Sequence, residues 1–298
     1  MTGQIQVRSP WSQLGIFLGL LGAAFLLSSI AMFAILVSRG ITTGTPDFAN
    51  PEMLSTLKWI QAISSVTIFL LPAWFYSRIT FTGNYWWHLG LRPAEKSLMY
   101  PIAIAVILFA FPSVFWLGEF NQSINLPAWM DNLEKDATAQ MEAFLKVNNT
   151  LDIFINIFII ALLPAICEEL CFRGALQRIM IQICRSPWMG IITASIIFSA
   201  LHFQFQGFLP RMFLGVVLGA LYWYSGSLWP SIIAHFVNNA VQVVAVSFAP
   251  EYIRENPGLP LYMAAISGFL VLAILWYLSR ISTARYSKLY GRSDLPEF

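Results

Sequence analysis

The sequence has few charged residues. Of its 298 residues, 11% are Asp, Glu, Lys or Arg, whereas a soluble domain has about 25%. Hydrophobic residues make up 57% of the chain, and the mean hydropathy is +0.66. The net charge of +2 is small and scattered, which argues against a nucleic-acid partner. This composition predicts an all-α polytopic membrane protein.

Cysteine is also scarce, and several catalytic signatures are missing. The three cysteines are Cys167, Cys171 and Cys184. The first two are four residues apart, on one face of a predicted helix, so they do not form the disulfide framework of a secreted domain. We interpret them as small packing residues. The sequence contains no Ser-His-Asp arrangement in a strained elbow, no His-Glu-x-x-His motif and no phosphate-binding loop.

Long apolar runs are abundant. A bilayer needs about 20 apolar residues per helix, and candidate spans recur along the whole chain. They predict about eight transmembrane helices in one bundle. The first run is longer than the apolar region of a signal peptide, so we expect it to be retained. The predicted spans are 14–37, 57–78, 98–119, 152–176 (extending towards 184), 188–204, 210–224, 229–248 and 260–280.

The distribution of Lys and Arg predicts the orientation. Basic residues concentrate in alternate loops, which the positive-inside rule places in the cytoplasm together with both termini. The short connections suggest a bacterial inner membrane. We divide the chain into N-terminal helices and an outer loop (1–150), a catalytic core (151–248), and a last helix with a basic tail (249–298), all within one structural domain.

The outer loop contains an amphipathic pattern near 126–146. Its apolar residues recur every three or four positions, which predicts a helix lying on the membrane surface. We interpret this helix as a connector that covers the bundle, and a lid or substrate gate is the alternative. The residues of the pattern are Leu126, Met130, Leu133, Ala137, Met141 and Phe144.

Two adjacent acids interrupt the fourth predicted span. Charged groups inside a bilayer are rare without a functional or structural reason. Glu169 and Arg173 are four residues apart, in the order that favours an ion pair on one helix face. Glu168 is rotated by about 100° from Glu169, so it remains available for chemistry.

Histidines complete the candidate site. His202 ends the fifth span, and His235 lies in the seventh, four residues before Asn239 and on the same face. Counting residues from the connecting turns puts Glu168 and His202 at similar depth and His235 nearer the cytoplasm. These groups, together with Glu168 and Glu169, form a candidate catalytic set that suits hydrolysis of a peptide bond. Glu168 would act as general base, His202 would orient the water, and His235 with Asn239 would stabilise the oxyanion.

Three spaced motifs resemble those of the CPBP intramembrane proteases. They are Glu168-Glu169-x-x-x-Arg173, Phe198-x-x-x-His202 and His235-x-x-x-Asn239, in this order and on separate predicted helices. That family includes the type II CAAX prenyl endopeptidases and the lysostaphin-resistance-like proteins. The resemblance implies a bundle of eight helices around a polar intramembrane cavity. It also implies that Glu168 and His202 activate water, while His235 and Asn239 form the oxyanion hole.

The resulting functional hypothesis has alternatives. We expect an intramembrane endopeptidase that acts on membrane-associated or C-terminal CAAX-like peptide substrates, without an obligatory cofactor. Zinc is the first alternative, because Glu168, His202 and His235 would make a plausible ligand set. A non-enzymatic scaffold or a transporter is the second. The expected partners are a peptide or membrane-protein substrate and the lipid bilayer.

Overall fold

The computed structural model describes residues 5–41, 47–48, 50–147, 149–249 and 257–283. Within these ranges the chain is helical apart from turns and an isolated bridge between Ile5 and Phe81. The helices are α1 (Pro10–Ser38), α2 (Pro51–Thr80), α3 (Tyr85–His88), α4 (Met99–Gln122), α5 (Ala128–Leu145), α6 (Thr150–Cys184), α7 (Pro187–Ala200), α8 (Phe208–Ser225), α9 (Leu228–Phe248) and α10 (Leu261–Ile281).

Seven of these helices are long and apolar enough to cross a membrane, namely α1, α2, α4, α6, α9, α10 and the segment Phe205–Ser225 that contains α8. The protein is therefore an all-α, multi-pass membrane protein, as the composition predicts. The fifth of the eight predicted spans is present as a shorter apolar helix. Helix α7 has 14 residues, fewer than the roughly 20 that a span requires, because the chain turns after Ala200 instead of continuing to 204.

Local signals set the helix ends. Pro51 and Pro187 stand at the first positions of their helices, where the missing proline N–H costs no hydrogen bond. Asn50 and Ser186 precede them and accept hydrogen bonds from free backbone amides of the first turn. The connection between α6 and α7 is correspondingly tight, because Arg185 adopts a left-handed conformation with φ 52°.

Helices α2 and α6 contain widened π turns. The turns Val66–Leu70 and Ile157–Leu162 directly precede Leu71-Pro72 and Leu163-Pro164. A proline inside a helix cannot donate its hydrogen bond and clashes with the preceding turn, and a π turn relieves both problems. A third π segment, Leu170–Gln177, follows the two adjacent glutamates.

Helix α6 lies at the centre of the fold. Its residues Cys171, Phe172 and Ala175 are buried in a core that also contains Phe17 of α1 and Tyr76 of α2. On its other sides α6 contacts α7 and α9. The helix therefore carries its polar side chains into the middle of the bundle, where other helices surround them.

A second core joins the later helices. It contains Val106 of α4, Leu218 of α8 and Val271 of α10, and the hydroxyls of Ser113 and Ser267 are 2.9 Å apart between α4 and α10. The last helix thus packs against elements from the first half of the chain. The division into 1–150, 151–248 and 249–298 remains a prediction.

The amphipathic helix predicted near 126–146 is present as α5. Phe144 is buried, whereas Leu133 is 42% exposed, so the apolar face is only partly covered by protein. The N-terminal half of α5 contacts the turn between α7 and α8. The ring of Trp129 lies edge-on to Phe205, with centroids 5.6 Å apart.

We predict that Gly190→Ala destabilises the protein. A Cβ at Gly190 of α7 would lie 2.5 Å from the backbone nitrogen of Ile181 in α6, so the two helices would have to separate. Overpacking of this kind costs about 1–3 kcal/mol. Gly19→Ala is the matched control, since a Cβ there meets nothing within 4 Å and Ala favours a helix by up to about 1 kcal/mol. The measurement is the melting temperature of each variant in detergent, and equal melting temperatures for the two variants would contradict the prediction.

Candidate active site

The two adjacent glutamates of α6 occupy different environments. Their side chains project in directions about 100° apart on the helix. The Glu169 side chain is completely buried, and that of Glu168 is 11% exposed. Glu169 is therefore enclosed by protein, whereas the Glu168 side chain keeps a small exposed fraction.

Glu169 is surrounded by hydrogen-bond donors. Its Oε1 lies 2.7 Å from Nη1 of Arg173 and 2.8 Å from Nδ1 of His235. Its Oε2 accepts a hydrogen bond from the hydroxyl of Ser231. Three donors from α6 and α9 thus compensate the charge of one buried carboxylate, as burial of an ion requires.

Arg173 connects this pair to two further helices. Its Nη2 donates to the backbone oxygen of Gly215 in α8 at 3.2 Å. Its guanidinium also lies 4.5 Å from the ring centroid of Phe198 in α7, a distance that favours a cation–π contact. The ion pair is therefore part of the packing of four helices.

Phe198 brings the second motif to the same place. The backbone oxygen of Phe198 lies 2.8 Å from Nδ1 of His202. A carbonyl oxygen only accepts hydrogen bonds, so Nδ1 carries the proton and Nε2 of the neutral ring is an acceptor. The Phe198 ring also meets both imidazoles edge-on, at 4.9 Å from His202 and 6.0 Å from His235.

Glu168 faces both imidazoles. Its Oε2 lies 3.9 Å from Nε2 of His202 and 3.9 Å from Nε2 of His235. These distances are too long for direct hydrogen bonds. A water about 2.8 Å from each atom of such a pair would subtend an angle of about 90°. Each of the two pairs therefore suits a bridging water.

Zinc fits this arrangement less well. Two imidazoles and a carboxylate are a common ligand set for catalytic zinc, but tetrahedral ligands about 2.0–2.2 Å from the ion are only about 3.4 Å apart. The separations from Glu168 to His202 and to His235 are 3.9 Å. In the described part of the chain, no three His, Cys, Asp or Glu side chains are grouped so that they could hold a metal ion.

The depth expected for His235 differs from the depth observed. Residue counting puts His235 nearer the cytoplasm than Glu168, whereas the structure brings them to the same level. The π segment Leu170–Gln177 separates Glu168 from the turn after α6. A π turn holds more residues than an α turn, so the α-helical count places Glu168 slightly too far from that turn. This accounts for only a small part of the difference in level.

The hydrogen bond recorded for the Asn239 side chain is to its neighbour Asn238 and not to Glu168. Asn239 lies one turn after His235 on α9, and its Oδ1 accepts a hydrogen bond from Nδ2 of Asn238 at 3.1 Å. This contact directs the Asn239 amide oxygen towards its neighbour. The donor role expected for Asn239 stays a prediction.

Two polar residues of the site were missed by the sequence reasoning. Ser231, which binds Glu169, precedes His235 by four residues, so the i, i+4 rule could have found it. Arg211 begins the sixth predicted span, and its charge lies close enough to Glu168 to interact electrostatically. An arginine in an apolar span was a usable signal.

The third histidine lies elsewhere. His88 is buried and stacks on Phe81, with ring centroids 4.3 Å apart. Burial and the nearby charge of Arg178 lower the pKa of His88 to about 4, so this imidazole is neutral at physiological pH.

We predict that Arg173→Met lowers the thermal stability of the protein. The substitution leaves the buried charge of Glu169 without its ion-pair partner, and breaking such a pair from one side costs about 3–5 kcal/mol. Glu169→Gln in the same chain should recover much of the loss. It removes the charge and keeps an amide oxygen to accept the hydrogen bond from His235. Melting in detergent is the measurement, and a double variant no more stable than the single one would contradict the prediction.

The comparisons with known proteins cover the part of the chain that contains this site. Residues 150–241 match the family described as type II CAAX prenyl endopeptidase Rce1-like. The uncharacterized protein YpbD of Bacillus subtilis (strain 168) is 33% identical over 105 residues, which are 34% of this chain and 50% of that protein. The chain thus spans about half the length of this curated relative. No solved structure matches the chain. The segment with this similarity to the type II CAAX prenyl endopeptidase Rce1-like family contains Glu168, His202 and His235.

Proposed function

We propose that this protein is an intramembrane endopeptidase that hydrolyses peptide bonds with a glutamate-activated water. The observation that carries the proposal is the position of Glu168 Oε2, 3.9 Å from Nε2 of both His202 and His235. A water between these three atoms has an acceptor for each of its hydrogens. The family of the segment 150–241 supports peptide hydrolysis as the reaction class.

The chemistry follows from the hydrogen-bonding capacity of each group. The water donates one hydrogen to Glu168 and the other to the unprotonated Nε2 of His202. Glu168 takes its proton as the water oxygen attacks the carbonyl carbon of the scissile bond, and the carbonyl oxygen becomes an oxyanion. Glu168 then returns the proton to the amide nitrogen while the C–N bond breaks. The bond cleavage leaves a carboxylic acid, which gives its remaining proton to the amine, so the products are a carboxylate and an ammonium group. No covalent enzyme intermediate forms.

His235 is oriented for the oxyanion. Its Nδ1 donates to Glu169, so its Nε2 can donate to the oxyanion only when the ring is an imidazolium. In this proposal Glu169 is a positioning residue for His235, and Asn239 supplies a second donor after the rotation of its amide. One such donor typically accelerates hydrolysis by about 100- to 1,000-fold.

The substrate and the location belong to the same proposal. A carboxylate and two imidazoles inside an apolar bundle suit a membrane-associated peptide or a C-terminal CAAX-like segment that enters from the bilayer. We place both termini in the cytoplasm of a bacterium, with the bundle in the inner membrane, following the distribution of Lys and Arg. No nucleic-acid partner is expected from a net charge of +2.

We predict that Glu168→Gln and His202→Ala abolish cleavage without loss of folding. Removal of a general base lowers the rate by about 100- to 10,000-fold. The measurement uses purified protein in liposomes with quenched-fluorescence peptides ending in Cys-aliphatic-aliphatic-X, with and without a farnesyl group. Glu52→Gln is the matched control, because its side chain is 87% exposed and lies outside the site.

Two results would contradict this proposal. The first is a wild-type protein that cleaves none of these peptides and causes no proteolytic change in its host, which would favour a scaffold. The second is a Glu168→Gln or His202→Ala variant that keeps the activity of Glu52→Gln. Failure of both variants to accumulate in the membrane would instead assign Glu168 and His202 a structural role.

We predict that metal chelation leaves the activity unchanged. The separations of 3.9 Å suit a water better than a zinc ion, and the mechanism above uses protein groups alone. Metal analysis of the purified protein and the cleavage rate after dialysis against a strong chelator test this. Stoichiometric zinc that is lost together with activity, and restored with it, would establish the zinc-dependent alternative.

A further inference from the structure

His202 does not lie inside a helix. Helix α7 ends at Ala200, and His202 occupies the turn that leads to α8. The next residue, Phe203, has a positive φ of 54°, a backbone conformation that side chains other than glycine adopt rarely. The position of the imidazole therefore depends on what holds this turn in place.

The guanidinium of Arg211 binds this turn on both sides of His202. Its Nη1 donates to the backbone oxygen of Gln204 at 3.2 Å and lies 3.5 Å from that of Ser199. Its Nη2 donates to the side-chain oxygen of Gln204 at 2.8 Å. The planar fork of an arginine is well suited to hold several acceptors in a fixed geometry.

The chain leaves room for this guanidinium at Gly207. A Cβ on that residue would lie 2.7 Å from Nη2 of Arg211. Gly207 itself has an ordinary negative φ of −100°, so its backbone conformation does not demand glycine. A Cβ at this position would instead force the Arg211 guanidinium to move.

Arg211 also interacts electrostatically with two carboxylates, one on α6 and one on α5. Its charge interacts with Glu168 and with Glu134 of α5. Glu134 also accepts a hydrogen bond from the backbone nitrogen of Gln206 at 3.3 Å. Arg211 therefore lies between the proposed general base and the helix that covers the turn.

We propose that Arg211 is the positioning residue for His202, through its clamp on Ser199 and Gln204. This inference rests on the proposed function for its catalytic consequence, although the clamp itself does not require the protein to be a peptidase. Arg211 touches neither the water nor the scissile bond in the mechanism. It acts by holding the His202 ring so that Nε2 points at the water that His202 shares with Glu168.

Arg211→Met should lower kcat by about 100-fold, the loss that a misplacement of about 1 Å can cause, while KM changes by less than about twofold. Arg211→Lys keeps a charge but not the planar guanidinium fork, so it should restore part of the rate.

Arg92→Met is the matched control. Arg92 is also buried and donates to backbone oxygens, those of Trp87 and Gly226, but at the turn before α9. It should lower stability and leave kcat near the wild-type value.

Gly207→Ala provides an independent variant if Arg211→Met fails to fold. It leaves every donor of Arg211 in the chain and forces only the guanidinium to move. The expected effect is a smaller fall in kcat in the same direction. An unchanged kcat in either variant, or an equal loss in Arg92→Met, would overturn the proposal.

A spectroscopic measurement separates this inference from the proposed function. The chain has three histidines, so ¹⁵N-labelled histidine gives three imidazole spectra that His→Asn variants assign. The wild type should show His202 with Nδ1 protonated and Nε2 unprotonated. Arg211→Met should mix its tautomers and leave His88 unchanged. An unaltered His202 spectrum refutes the clamp even if the wild type proves to have no peptidase activity, a result that would refute the proposed function alone.

Discussion

The buried carboxylate of Glu169 is the constraint on which the site depends. A charge enclosed between helices costs several kcal/mol unless donors surround it, and Arg173, Ser231 and His235 supply them. Two of these donors come from α9, and Arg173 also reaches the backbone of Gly215 in α8. The need to compensate one charge therefore fixes the packing of α6 against α8 and α9. The orientation of the His235 ring follows from the same contact.

Two adjacent glutamates can have different roles because the side chains of consecutive helical residues point in directions about 100° apart. Glu169 has donors on both of its oxygens, which leaves it poorly suited to accept a proton during a reaction. Glu168, by contrast, has its Oε2 at 3.9 Å from two imidazoles, a spacing that admits a water. Any change that loosens Glu169 would disturb His235 first and Glu168 through it. Glu168 is thus the proposed reactive group, and the adjacent Glu169 holds His235 in position.

The sequence predicted what depends on spacing along one helix, and it was less informative about contacts between helices. The spans were placed within a few residues because a bilayer demands a fixed apolar length. The relation of Glu169 to Arg173 followed from i, i+4 geometry. The level of His235 did not follow in the same way, because it depends on how α9 packs against α6 and on the contact of His235 with Glu169. Arg211 was missed because its partners are mostly backbone oxygens of a turn, which no pattern of side chains records.

The shortness of α7 explains why such a turn exists. Its 14 residues rise about 21 Å at 1.5 Å per residue, less than the roughly 30 Å of a hydrocarbon core. A turn that follows such a helix falls short of the far side of the membrane. Backbone groups at that depth have no bulk water and must find partners in the protein. Arg211 binds the oxygen of Gln204, and Asn121 of α4 binds the oxygen of Phe205 and the nitrogen of Leu209, both at 2.8 Å. A full-length helix would need neither residue, but it would carry His202 on a regular helical surface. Ending the helix early lets the chain aim the imidazole at Glu168, and the buried polar groups around the turn are the structural consequence.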